Sequence, residues 1–279
     1  MSQLKTQLQS ALKRVGLHQR LRVSPIYDLY WGIADKRRID ARHREVRFYR
    51  DLLVGFHKGD LIFDIGANVG EKTDVFLRLG ARVLAVEPLE TNQEILKEKF
   101  LKLRFVPKPL VVRGEAISDR IAAETMWIDG AGSALNTLNR KWVDTLRGDK
   151  KRFHTGLDPL EFSETKVVNT TTLEQLMEEH GRPFFIKIDV EGHELSVIRG
   201  LKRPVPYVSF EVNLPEFRRE GVDCIELLQR LNGDGKFNYA TDLQQGLGLK
   251  TWVGAREFSG IFAQCSAQSV EIFWKCDAP

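Results

Sequence analysis

Asp189, Glu191 and His193 stand at alternate positions past an apolar run, in the segment KIDVEGH, and all three can move a proton. A carboxylate or neutral imidazole within hydrogen-bond reach can take the proton that an alcohol loses when its oxygen is alkylated. An unshifted imidazole is about half available as a base near neutral pH. His193 is the expected base, with Asp189 or Glu191 orienting it or the acceptor; an exposed or helix-capping histidine is the competing reading. If the run is a strand, its period of two puts Phe185, Lys187, Asp189 and Glu191 on one face and Ile186, Ile188 and Val190 on the other. Lys187 then lies inside the strand, where a lone ammonium is costly, so it should pair with Asp189 or Glu211 or line a cleft. Glu211 and Asn213, on the next strand, are further candidates for touching an acceptor.

A second motif, FDIGANVG from Phe63 to Gly70, lies far upstream. Leu61 to Ile65 reads as a short buried strand, and Gly66 and Gly70 bracket a turn that opens a helix. Ligands of open α/β sheets lie across the carboxyl ends of the strands, so this turn should border a cofactor. Asp64 is expected beneath it, holding the turn or an ammonium group. Glu87 ends the second strand 21 residues after Gly66, where an acidic side chain commonly accepts ribose hydroxyls. A dinucleotide fingerprint needs glycine at the position held here by Asn68, so that the backbone can approach a pyrophosphate. Asn68 suits instead a ligand whose middle is an amino acid, since its amide can bond ammonium or carboxylate. The residues therefore favour S-adenosylmethionine over NAD, with a glycine turn made only for packing as the alternative.

The elements that position these groups alternate from residue 61 onward: LIFDI, EKTDVFLRL, RVLAVE, TNQEILKEKF, then FFIKIDV, HELSVIRG and PYVSFEV. Such alternation argues for a parallel sheet covered by helices. Gly80 and Gly200 each follow a helix and suit the left-handed position past its end. Glu90, Thr91 and Asn92 offer polar capping for the second helix. Lys236–Ala240 and Val270–Trp274 read as two antiparallel edge strands, joined by a loop-rich stretch with Gly246, Gly248, Gly254 and Gly260. A polar insert of weak periodicity occupies about residues 137–165, a length typical of lids and binding segments.

The charge is uneven. Residues 1–50 hold 12 of the 42 Lys and Arg but only 4 of the 38 Asp and Glu. A basic helical extension over residues 1–55 is expected, presenting a solvated face, with Tyr27, Tyr30 and Trp31 packing it onto the main domain of residues 56–279. The arm lacks the interleaved aromatics of a single-strand binder, which argues against nucleic acid and leaves peripheral contact with an anionic membrane open. No apolar run reaches the roughly 18–20 residues of a membrane span, and the first residues lack a signal-peptide layout, so the cytoplasm is the expected address. Cys224, Cys265 and Cys276 fit neither a disulfide framework nor a zinc pattern, and no metal is expected.

With these motifs in hand, the chain resembles the FkbM family of S-adenosylmethionine-dependent methyltransferases from about Leu61 to Val212. The likeness rests on FDIGANVGEKT through Thr73, AVEP at Ala85–Pro88, AISD at Ala116–Asp119, GSALN at Gly132–Asn136, TTLEQL at Thr171–Leu176, IKIDVEGHELSVIRG at Ile186–Gly200 and SFEVN at Ser209–Asn213. It implies a Rossmann-like class I methyltransferase fold: a mostly parallel seven-stranded sheet with an antiparallel C-terminal edge. Asp64, Gly66, Asn68, Gly70, Thr73, Glu87 and Asp189 would then hold the donor, with Ala116, Ile117 and Ser118 flanking its adenine. The implied reaction is O-methylation of a hydroxyl on a saccharide, glycan or secondary metabolite. A reading of another class is a non-catalytic adenosylmethionine-binding module whose basic arm binds nucleic acid or another acidic partner.

Overall fold

The structure is a computed structural model that describes residues 36–102, 109–130, 132–148, 160 and 162–277. Tyr27, Tyr30 and Trp31 lie outside the described residues, as do residues 1–35 of the extension and 149–159 and 161 of the insert.

The main sheet is built from β1 (Leu61–Ile65), β2 (Arg82–Val86), β3 (Leu110–Arg113), β7 (Phe185–Ile188), β8 (Tyr207–Asn213), β9 (Lys236–Ala240), β10 (Val253–Gly254) and β11 (Ser269–Lys275), in the order β10-β9-β11-β8-β7-β1-β2-β3. The strands from β3 to β8 run parallel, while β11, β9 and β10 pair antiparallel at the edge. The parallel body and antiparallel edge are those the alternation implied, and the two-residue β10 adds an eighth strand. β1 connects outward to β2 on one side and pairs with β7 on the other, so the order reverses there. A crevice opens at the carboxyl ends of strands at such a switch point. β1 is buried along its whole length, as strands covered on both faces are.

Between β1 and β2 runs α2 (Glu71–Leu79), and after β2 comes α3 (Glu90–Lys97), which starts without a side-chain cap from Leu89. A smaller sheet pairs β4 (Ala116–Ile117), β6 (Glu164–Thr171) and β5 (Ala122–Ile128) in the order β4-β6-β5. Within the insert, α4 (Arg140–Gly148) buries Trp142, Val143 and Leu146, an apolar stripe that the surrounding charge masked in the sequence. The loop-rich stretch near the C-terminus contains α8 (Ala255–Ala263), whose Phe258 and Phe262 at i and i+4 are buried, although Gly254 and Gly260 argued against a helix. The remaining helices are α5 (Leu173–His180), α6 (Glu194–Arg199) and α7 (Arg218–Leu231).

Gly80 takes the left-handed conformation expected past α2, with φ of 93°. Gly200 does not: its φ is −75°. Glycine is required there because a Cβ would lie 2.7 Å from the Ser118 carbonyl oxygen, a close approach rather than a turn.

The described part of the basic extension is α1 (Lys36–Leu52), and it is docked rather than solvated all round. Val46, Tyr49 and Leu53, at i, i+3 and i+7, form one stripe buried among Ile62, Phe76, Phe185 and Phe273. The Tyr49 ring lies 5.2 Å from Phe76 and 5.7 Å from Phe185. Burying each such aromatic contributes about 1.5–3 kcal/mol, so α1 covers one face of the sheet as an integral layer. Its Arg42 pairs with Asp74 of α2 at 3.0 Å.

Candidate active site

At the end of β1 the chain turns through Gly66, with φ of 82°, where a Cβ would fall 1.8 Å from the Asp189 carbonyl oxygen. Only glycine lets the two strand ends come this close. The N–H groups of Gly66 and Ala67 both donate to the Val86 carbonyl at 3.0 Å, which ties the turn to the end of β2. Asn68 is also left-handed, with φ of 47°. Its backbone N–H donates to Glu87 Oε2 at 2.9 Å, and the Leu89 N–H donates to Glu87 Oε1 at 2.9 Å. Each carboxylate oxygen therefore keeps a lone pair for a ligand hydroxyl.

Asp64 is buried under the turn and accepts the Thr73 hydroxyl at 2.5 Å, and burial pushes its carboxyl up to about 6. Gly70 opens α2 against Leu96 and Phe100. Asp64, Gly70 and Thr73 thus shape the turn from beneath, whereas Gly66, Asn68 and Glu87 line the cleft above it.

That cleft is open to solvent along part of its length. Apolar walls come from Ile65, Val86, Ile117 and Met126, with Glu87 at one end and Asp189 at the other. A flat apolar slot beside a carboxylate with free lone pairs fits an adenosine whose ribose hydroxyls need acceptors. Ala116 and Ile117 stand at the wall, whereas Ser118 lies behind it and meets His193: its Oγ is 3.2 Å from His193 Nε2. Sequence reasoning missed Asn92, whose amide donates to Asn68 Oδ1 at 3.1 Å and accepts the Gly132 N–H at 3.0 Å. It was assigned to helix capping because nothing local shows that GSALN crosses over it.

The KIDVEGH segment departs from a simple strand. β7 ends at Ile188, Asp189 N–H still donates to Ile65 O at 2.9 Å, and Glu191 then turns left-handed with φ of 53°. The period of two stops there, so Glu191 does not extend the face of Lys187 and Asp189. Its carboxylate accepts Trp142 Nε1 from α4 at 2.9 Å and lies 3.5 Å from Asn213 Nδ2. Burial, then the neighbouring carboxylates, push it well above the ordinary range. The insert grips the same loop through Thr137, whose hydroxyl donates to Glu191 O at 2.7 Å, and through the Asn139 amide on Gly192 O. Glu194, another residue the sequence did not single out, accepts the N–H groups of Val190 and Gly192 at 3.2 Å each from the first turn of α6.

Lys187 is fully buried and pairs with Asp189 Oδ2 at 3.2 Å and with Glu271 Oε1 at 3.7 Å. Burial alone would push its ammonium down, but Asp189, Glu271 and Glu211 outweigh it and hold the pKa up. The pair with Asp189 was expected; Glu271, rather than Glu211, is the second partner. His193 is mostly buried, and burial lowers its pKa against the pull of Glu124, 4.0 Å away, so the ring is neutral at pH 7.

Glu87 places a titrating carboxyl on the wall of this cleft. Burial pushes its carboxyl up to about 7, although the N–H groups of Leu89 and Asn68 pull the other way. Hydroxyl donors favour the ionised form, so below that value ligand binding must displace a proton. Affinity for S-adenosylhomocysteine is expected to rise about 10-fold from pH 6 to pH 8 and then level off. The effect on folding has the opposite sign: a raised carboxyl stabilises the folded chain below its unfolded pKa of about 4.5 and loses that contribution as pH rises through about 7. Calorimetry across this range checks the affinity, and a Glu87→Gln variant should bind weakly with no pH dependence from this group. An unchanged slope in Glu87→Gln would shift the effect to Asp64 or Glu194.

The sequence profile of the methyltransferase FkbM domain matches residues 64–239, which span the glycine turn, Glu87 and the whole KIDVEGH loop. The chain belongs to this FkbM methyltransferase family. Its methyl donor is S-adenosylmethionine. Among solved structures, similarity extends to the precorrin-6Y C5,15-methyltransferase of Geobacter metallireducens, at 11% identity and a TM-score of 0.41, covering 85% of this chain and 88% of that one. A TehB-like SAM-dependent methyltransferase of Corynebacterium glutamicum gives 12% identity and 0.38, covering 84% and 88%. The plantazolicin methyltransferase BpumL in complex with SAH gives 10% identity and 0.40, covering 97% and 99%. No curated protein matches the chain. Among the described residues, no FkbM helix is long and apolar enough to cross a membrane, and no group of three or more His, Cys, Asp or Glu could hold a metal ion.

Proposed function

We propose that the chain methylates a hydroxyl oxygen of a saccharide, glycan or secondary metabolite. The reading is carried by Asp189, whose side chain is 32% exposed at the carboxyl end of β7 and which walls the donor cleft opposite Glu87. When bound, S-adenosylmethionine supplies an electrophilic methyl and leaves as a neutral thioether. Displacement of this kind depends chiefly on holding the acceptor oxygen about 3 Å from the methyl carbon. Glu87 and the Gly66 turn hold the adenosine end, and the loop pinned by Trp142, Asn139 and Glu194 fixes the other. Asp189 takes the hydroxyl proton on Oδ1, because Oδ2 is engaged by Lys187. The sequence had favoured His193 for this step; His193 lines the same cleft, but its Nε2 is turned to Ser118 and Glu124, so we assign it to positioning the cleft wall.

The two assignments separate in kinetics. Asp189→Asn is expected to slow methyl transfer about 10²-fold or more with S-adenosylhomocysteine affinity nearly unchanged. His193→Ala should instead weaken the donor and leave the transfer rate at saturation within a few fold. Radiolabelled methyl transfer to a panel of saccharides and polyols, with calorimetry of each variant, reads both. A large rate loss in His193→Ala at full donor saturation would return the base to His193.

A further inference from the structure

On the face of the sheet covered by α1 lies a second cleft of about 480 Å³, walled by Lys72, Lys187, Asp189, Glu211, Ser269 and Glu271. Asp189 belongs to both clefts, so this one opens where the donor's methyl would emerge. Outward it continues past Lys72 and Leu243 into a groove lined by Arg42, Glu45 and Asp242, a path from solvent.

Carboxylates outnumber cations along this cleft. The Lys72 ammonium is engaged by Glu45, and Lys187 is shared between Asp189 and Glu271. Glu211 and Glu271 face each other directly across β8 and β11, a placement that costs stability for like charges. No cation among the described residues lies within ion-pairing distance of Glu211. Burial, then Asp189, push its carboxyl up.

We propose that this second cleft is the acceptor site and that it selects an acceptor carrying a protonated amine beside the hydroxyl that is methylated. The proposal rests on the O-methylation reading above. An ammonium offers three donors and a positive charge, which suits the opposed pair of Glu211 and Glu271, and the walls show no set of ligands spaced for a metal ion. The neighbouring hydroxyl then meets Asp189 at the shared wall. An amino sugar or amino alcohol has this pattern.

Matched probes test it. The protein saturated with S-adenosylhomocysteine is titrated by saturation-transfer NMR with ethanolamine against ethylene glycol and with glucosamine against glucose. Each amine is expected to bind about 10-fold or more tightly than its neutral partner. Glu211→Gln should abolish that preference with S-adenosylhomocysteine affinity unchanged, and the wild-type comparison stands without the variant. Equal binding within each pair, or none, overturns the amine site and leaves O-methylation of a neutral acceptor standing. With S-adenosylmethionine in place, a methyl group found on the nitrogen of glucosamine overturns both readings, and one found on oxygen supports both.

Discussion

Gly66→Ala is expected to abolish donor binding and to destabilise the fold by more than about 3 kcal/mol. Two costs add. A left-handed φ of 82° is strained for any residue with a Cβ, by about 1–2 kcal/mol. The new methyl would also sit 1.8 Å from the Asp189 carbonyl oxygen, and that oxygen is backbone, which cannot swing aside as a side chain does. Relief requires the ends of β1 and β7 to separate, and this moves Gly66 and Asp189, two walls of the donor cleft, at once. Gly59→Ala is the control: its φ is 94°, but nothing lies within 4 Å of the added carbon, so it carries the backbone strain alone. Urea unfolding and S-adenosylhomocysteine calorimetry on both variants check the difference. Equal midpoints for the two would show that the β1–β7 junction yields easily and is not the rigid seat described here.

The second large effect is at Lys187. Lys187→Met keeps most of the side-chain volume but strips the cation that Asp189 and Glu271 share, and breaking a buried pair in this way costs about 3–5 kcal/mol. Adding Glu271→Gln removes one of the stranded charges and is expected to recover part of the loss, which a double-mutant comparison by chemical denaturation measures. A double variant no more stable than Lys187→Met would mean that the lysine acts through packing.

Much of the cleft around the β1 turn was legible in one dimension, because its lining there is set by short-range rules. A strand, a glycine turn and a helix follow one another within FDIGANVGEKT, and Glu87 falls at the end of the next strand, so sequence spacing translates directly into spatial neighbourhood. The buried pairing of Lys187 with Asp189 followed from the cost of an isolated ammonium. The docking of α1, expected only as a helix with a solvated face, and the helices α4 and α8 were not legible, since each rests on a short apolar stripe in charged or glycine-bearing surroundings. Such a stripe packs only when a sheet face is there to cover it.

By itself, then, the sequence determined the family, the parallel α/β core and the glycine turn with Glu87 beside it, where local backbone geometry dictates which residues meet. Only the tertiary structure decided which groups stand around Asp189 and the loop after β7. The left-handed turn at Glu191 breaks the strand period and gives that carboxylate to Trp142, His193 faces Ser118, and Glu271 comes from a strand 84 positions after Lys187 to share its charge. The reason is physical: an uncompensated buried charge takes its partner from whichever element lies beside it in the sheet, and antiparallel closure by β11 is a long-range event that no local pattern encodes.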